Sequence, residues 1–343
     1  MRPLRFALAL TVATATACAP SASTPRHLVE RTYTTMGSPL HVSAWVADDT
    51  AAVAAFEQVF KEFDRLDKLL SVWKPDSDVV KINQAAGDHA VPVSAETIEV
   101  LRAARQVSEW TDGKFDVTFG ALSDVWKFDH DQDNRIPSAE EIKARIPFID
   151  FKKIVIDAAQ QTVMLERRGM RMHLGGIGKG YAVDRGVQIL RAAGVNDFMI
   201  QAGGDFYVSG MKDRAPWRIG VRDPRGPADR VIAALDLSDG TFSTSGDYER
   251  FFMKDGRRYH HLLDPATGEP AQGCRSVTIV TNLATMADGL STGVFILGPE
   301  KGMALIERLP DVEGLIVSST NQVLVSSGLK NKLLMLATPT DTP

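Results

Sequence analysis

The chain has 343 residues, 44% of them hydrophobic and 24% charged, which suits one large folded unit or two modest ones. Its 39 basic and 43 acidic residues leave a net charge of −4 with no long basic run, which argues against nucleic acid as a partner. Beyond the N-terminus no stretch of about 18 or more uncharged apolar residues occurs, so no internal membrane span is expected.

Arg2 and Arg5 open the chain, and an apolar, small-residue run follows from Phe6 to Ala17. The run is too short to span a membrane and has the form of an export signal over residues 1–17. It closes with Ala15-Thr16-Ala17-Cys18. Small residues before a cysteine suit a bacterial lipoprotein signal, with Cys18 lipidated as the new N-terminus. That places the protein in the periplasm, anchored to the inner membrane; ordinary cleavage after Ala17 would leave it soluble there. Residues 18–28 read as a flexible tether and 337–343 as a frayed tail, so that 29–336 form the folded unit. The other cysteine, Cys274, opens an apolar strand-like run and reads as a buried small residue. With one cysteine in the folded part, no internal disulfide can form.

Leu40, Val42, Ala44 and Val46 alternate as a half-buried strand. Val53, Phe56, Phe60, Phe63, Leu66 and Leu70 then recur at helical spacing and form a core-facing stripe. A second helix is expected from Ser94, burying Ile98, Leu101, Ala104 and Val107, and Ser138 with Glu141 makes a capping box after Pro137. Strand patterns occupy Lys153–Asp157, Thr162–Glu166, Met170–Leu174, Phe198–Ala202 and Trp217–Arg222, with a hairpin turning at Asp255-Gly256. A helix is expected from Gly178 to Ala193, helical spacing returns at 283–296 and 300–308, and strands close the chain at 314–318 and 322–326. This mixing without strict alternation predicts an α+β fold.

Four segments carry candidate chemistry. Leu174-Gly175-Gly176-Ile177-Gly178-Lys179-Gly180 opens a helix, where glycines admit a ligand and free amides face an anion. Its spacing matches neither standard nucleotide fingerprint, so a tight turn explains it equally well. Gln201-Ala202-Gly203-Gly204-Asp205 adds a second glycine pair and a carboxylate, or is simply a turn. In Ala287-Asp288-Gly289-Leu290-Ser291-Thr292, Asp288 and Thr292 share a helix face, and such hard oxygens suit Mg²⁺ beside a phosphate. The plainer reading is a capping aspartate. His261, before the turn Asp264-Pro265-Ala266-Thr267-Gly268, is a general base or a structural histidine. Asp129, Asp131, Asp133 and Glu140 stand at positions 1, 3, 5 and 12 of a calcium-type loop, with Asn134 in the glycine position and Pro137 at the ninth. A solvated acidic loop is the alternative.

Taken in order with Thr35-Met36-Gly37-Ser38, Leu70-Ser71-Val72-Trp73, Gly113 to Thr118 and Ser243 to Arg250, these segments resemble the ApbE family of bacterial flavin transferases from about residue 31 to 327. The resemblance implies a single domain of mixed sheets and helices that splits Mg²⁺-bound FAD at its pyrophosphate. FMN would pass to a threonine or serine hydroxyl of an acceptor protein, such as a flavinylated subunit of a redox-driven pump or a periplasmic reductase, with AMP leaving. Flavin contacts are implied for Met36, Trp73, Lys114, Phe115, Asp116, His173, Lys179 and Leu263. Metal contacts are implied for Gly176 through its carbonyl, Asp288, Ser291 and Thr292, with His261 or Asp288 taking the hydroxyl proton. The chain departs from the family pattern twice: His173 replaces the aspartate of many members, and Ser291 replaces a second aspartate present in some. An FAD pyrophosphatase, a non-catalytic FAD-binding lipoprotein and an electron carrier are the competing readings.

Overall fold

The computed structural model describes residues 25–342, so the expected signal segment and Cys18 lie outside the described residues. The chain opens with strands β1 (His27–Thr35) and β2 (Ser38–Val46), then helices α1 (Asp49–Leu70) and α2 (Asp78–Gln84). Strand β3 (Val91–Pro92), helix α3 (Ala95–Trp110), a 3-10 segment at Val117–Asp124 and helix α4 (Ala139–Arg145) follow. Next come β4 (Ile154–Asp157), β5 (Thr162–Leu165), α5 (Gly178–Ala192), β6 (Phe198–Ala202) and β7 (Asp205–Ser209). Then come β8 (Trp217–Arg222), β9 (Val231–Leu237), β10 (Asp239–Gly246), β11 (Phe251–Lys254) and β12 (Arg257–His260). The chain closes with β13 (Cys274–Thr281), α6 (Ala284–Leu297), α7 (Pro299–Arg308), β14 (Glu313–Ser318), β15 (Val323–Val325) and β16 (Leu333–Met335). No helix among the described residues is long and apolar enough to cross a membrane.

Eight strands pair antiparallel in the order β1-β2-β6-β7-β10-β13-β14-β15. On one face of this sheet Val42, Ile200, Val277, Ile279 and Ile316 meet the apolar stripes of α1, α5 and α6, and α3 packs against α6 in the same core. The expected stripe of α1 is buried at Phe56, Phe60, Phe63, Leu66 and Leu70, and Asp48 caps the helix by accepting from the Ala51 amide. On the other face Val208, Phe242, Leu315 and Val317 pack with Trp217, Ile219, Val221, Ile232 and Ala233 of a three-stranded sheet, β16-β9-β8. The α+β arrangement is therefore layered: helices, large sheet, small sheet. A separate aromatic cluster joins Trp126 and Phe128 to Phe252 and Tyr259 of the β11–β12 hairpin. That hairpin turns at Asp255 and Gly256, both with positive φ (50° and 73°), as the sequence predicts.

Three expectations change. Strand β1 begins at His27, inside the expected tether. Met170–Leu174 forms no strand; the Asn83 side chain bonds both the amide and the carbonyl of Met172, and the His173 amide bonds the Val117 carbonyl. Residues 337–340 are not a frayed tail. The Ala337 amide bonds Ile232, the Asn321 side chain holds the Pro339 carbonyl, and Asp223 accepts from the Thr340 amide and hydroxyl.

Helices α5 and α6 approach so closely that a Cβ on Gly180 would sit 2.2 Å from the Ala284 carbonyl oxygen and 2.8 Å from the Asp288 Cβ. Gly180→Ala must therefore separate the two helices, and is expected to cost about 2–3 kcal/mol. Denaturant unfolding checks this; an unchanged midpoint would show that the helices have room to spare.

Candidate active site

Beside the first turn of α5 lie two adjoining cavities, of about 810 and 500 Å³. Both are bordered by Trp73, Asp129, His173, Gly175, Lys179 and Arg250. Of the residues expected from sequence, Lys114, Phe115, Asp116, Gly176, His261, Leu263, Asp288 and Thr292 line the larger cavity, and Met36 lines the smaller. Met36 reaches it from the β1–β2 turn, where Met36 and Gly37 take φ of 49° and 72°. Trp73, 49% exposed, stands at the mouth with its ring edge-on to His130, centroids 4.2 Å apart.

The glycine loop turns over Gly175–Ile177 and releases the chain into α5, which has no side-chain N-cap. In the first turn of α5 the Gly180 amide donates to Asp288 Oδ2 at 2.9 Å. Asp184, one turn further along α5, accepts from the Ala284 and Thr285 amides and so caps α6. These bonds fix where Asp288 sits on α6. The carboxylate is 5% exposed, and its Oδ1 has no hydrogen-bond donor among the described residues. Burial, reinforced by nearby Asp205, pushes its carboxyl up to about 7, against the pull of Lys179 and the Gly180 amide.

Lys179 pairs with Asp205, Nζ to Oδ2 at 2.9 Å, while Asp205 Oδ1 accepts from the Ser243 hydroxyl. Burial alone would depress the ammonium, but Asp205 and Asp288 outweigh it and hold it above the ordinary lysine range. Thr292 Oγ1 lies 3.2 Å from Ser245 Oγ, and a Cβ on Gly176 would come within 3.5 Å of the same threonine oxygen. Ser291 behaves differently: its hydroxyl donates to the Asp288 carbonyl and meets Ser245 Oγ at 2.7 Å, and it does not line the cavity. Asp288, Thr292 and the Gly176 backbone therefore fit an ion better than the full expected set.

Both histidines are held neutral. His261 Nδ1 lies 3.2 Å from the Arg250 carbonyl, an acceptor only, so Nδ1 carries the proton and Nε2 keeps its lone pair. Burial, then Arg250, His260 and Lys179, lower its pKa to about 3. His173 Nδ1 accepts from the Gly175 amide at 3.0 Å, which puts the proton on Nε2; burial lowers its pKa to about 4. Of the flavin positions, Lys114 is engaged by Asp264 at 2.8 Å, which ties it to the turn after His261. Asp116 accepts from the Thr118 amide and hydroxyl and from the Phe151 amide, so it braces the segment carrying Lys114 and Phe115.

The expected calcium loop does not assemble. Asp129 pairs with Arg250 at 2.6 Å, Asp133 accepts from the Arg135 amide, and Glu140 lies in the first turn of α4. Asn134 does take the left-handed turn (φ 56°), yet among the described residues no three acidic, histidine or cysteine side chains converge on an ion position. Spacing alone assigns no role to Asp205, Ser245 or Arg250. Asp205 was visible only as the end of a glycine turn, and Arg250 only as the last residue of the Ser243–Arg250 stretch.

An unfolded Asp288 titrates near pH 4, whereas the folded one resists ionising until about 7. Its contribution to stability is thus complete below pH 4 and is lost as pH rises through 7. Asp288→Asn is expected to exceed the parent at pH 8, without Mg²⁺, by on the order of 2–4 kcal/mol, and to match it at pH 4. Chemical denaturation at the two pH values checks this; a variant less stable than the parent at pH 8 would contradict the burial account.

A family model for the ApbE family matches residues 36–316. The chain is 33% identical over 298 residues to the FAD:protein FMN transferase of Treponema pallidum, covering 82% of each chain. It is 32% identical over 293 residues to one from Klebsiella pneumoniae, covering 85% of this chain and 90% of that one. The ApbE protein of Thermotoga maritima superposes with a TM-score of 0.82 at 36% identity, over 89% of this chain and 99% of that one. The flavin transferase ApbE of Vibrio cholerae gives 0.80 at 27% identity, over 90% and 100%. On sequence and on fold, the chain belongs to the ApbE family.

Proposed function

We propose that the protein transfers the FMN half of FAD to a serine or threonine hydroxyl of an acceptor protein and releases AMP. The observation that carries this reading is the junction of the two cavities. There Lys179 and Arg250 stand between two spaces, each bordered by aromatic or apolar groups, beside a buried carboxylate with an unpartnered oxygen. A dinucleotide has that form: two flat ring systems joined by a diphosphate.

Mg²⁺ suits the donors present, since Asp288 Oδ1, the Thr292 hydroxyl and the Gly176 carbonyl are hard oxygens and the buried carboxylate gains from a cation. When bound, the ion would neutralise charge on the diphosphate and on the departing phosphate. The protein's own groups do the rest. Lys179 and the glycine-loop amides hold the diphosphate, and Phe115 and Trp73 offer flat faces to the rings. His261 Nε2 accepts the hydroxyl proton as the acceptor oxygen bonds to the flavin-side phosphorus. The bond from that phosphorus to the bridging oxygen breaks, and AMP leaves with it. Burial first, and then the cations beside it, make His261 a weak base in the free protein, and the charge of the arriving diphosphate offsets the cations.

We place the protein in the bacterial periplasm, held at the inner membrane by lipidated Cys18, on the strength of the leader sequence. Its acceptor would be a redox protein of that compartment, such as a flavinylated pump subunit or reductase.

Incubation with FAD, Mg²⁺ and such an acceptor is expected to yield an FMN adduct by intact-protein mass spectrometry. Free FMN without adduct would instead mean hydrolysis. His261→Ala is expected to lower kcat by roughly 10²–10⁴-fold while FAD affinity changes little; full turnover would remove His261 from the proton transfer. Asp288→Ala is expected to abolish transfer while FAD still binds, and full activity in it would overturn the metal assignment.

A further inference from the structure

We infer that Arg250 is the second cation of the diphosphate site and that Asp129 holds it in the substrate's place, so that diphosphate binding frees the segment 129–134 at the mouth. This rests on the reading of FAD as substrate. Lys179 cannot serve alone, because two buried carboxylates already face it: Asp205 at 2.9 Å and Asp288, whose Oδ2 bonds the next residue's amide. With no metal ion at Asp288, a diphosphate arriving there meets more negative charge than positive. Arg250 borders both cavities beside Lys179, and its charge reaches His173, His261 and Lys179.

Its partner is the replaceable one. The Arg250–Asp129 pair is partly exposed, with side-chain exposures of 40% and 27%, whereas Asp205 is 3% exposed. Exposed pairs contribute little, and a guanidinium binds phosphate oxygens in a two-pronged geometry that a single carboxylate contact of 2.6 Å through Nη1 does not use. The diphosphate is therefore the better partner.

Asp129 also leads the segment that crosses the mouth. His130 rests edge-on against Trp73, and Gln132 Nε2 donates to the Phe251 carbonyl at 3.1 Å. Loss of the Asp129 tie leaves this segment on weaker contacts, and Trp73 reports it. Meanwhile the Arg250 carbonyl accepts from both the His261 amide and Nδ1, at 3.1 and 3.2 Å. That backbone hold survives a change of the arginine side chain, so a side-chain variant tests the charge alone.

The test is binding of FAD, ADP and riboflavin, measured calorimetrically without acceptor protein, for the wild type, Arg250→Gln, Arg250→Lys and Asp129→Asn. Arg250→Gln is expected to weaken FAD and ADP about tenfold or more while riboflavin stays within about twofold. Arg250→Lys should recover part of the loss. Asp129→Asn should tighten ADP binding and remove the change in tryptophan fluorescence that ADP causes in the wild type, a change also lost in Trp73→Phe. An equal loss for riboflavin, or weaker ADP binding by Asp129→Asn, would overturn the inference. Failure of the wild type to bind FAD at all would overturn the functional reading beneath it.

Discussion

The close approach of α5 to α6 at Gly180 is the constraint on which the rest of the site depends. Only a residue without a Cβ lets the first turn of α5 lie against Ala284 and Asp288, and only at that distance does the Gly180 amide reach the carboxylate. Asp184 fastens the same pair of helices from the other side by capping α6. The glycine loop and the aspartate, more than a hundred residues apart in the chain, thereby become one surface. The conformational freedom of Gly180 is incidental; its missing side chain is what matters.

That packing places Asp288 at an electrostatic cost. It is buried, beside another carboxylate, and half-satisfied, which is why its carboxyl is pushed up to about 7. Lys179 and the Gly180 amide offset the burial only in part. Sites that bind cations and phosphates are commonly built this way, with stability given up where charge must later be received. The two neutral histidines fit the same logic. Burial disfavours an imidazolium at either position and Arg250 adds to the effect, while a neutral ring keeps a lone pair for proton transfer.

Where local periodicity decides structure, the sequence was readable. The stripe of α1, the cap of α3 at Ser94, the Ser138–Glu141 capping box and the strands at Phe198–Ala202 and Trp217–Arg222 form as their patterns indicate. Strands β7, β9 and β10 were missed. In β10, Thr241, Ser243 and Thr244 replace the usual apolar alternation, and their hydroxyls bond Phe206, Asp205 and Thr278 inside the sheet. Contacts distant in sequence account for the other differences. The acidic spacing from Asp129 fits a calcium loop only if Arg250, 121 residues away, is ignored. Residues 337–340 look like a loose end until Asp223, Asn321 and Ile232 are seen to hold them. Ser291, one step from Thr292, turns toward Ser245.

On this reading Asp288 and Thr292, brought to the glycine loop by the α5–α6 packing, form the cation position beside a diphosphate. Crystals grown with FAD and Mn²⁺ in place of Mg²⁺ test it directly through an anomalous-difference map. One strong peak is expected, in contact with the Asp288 carboxylate, the Thr292 hydroxyl and a diphosphate oxygen. A peak in the loop of residues 129–140, or FAD bound with no metal at Asp288, would contradict it.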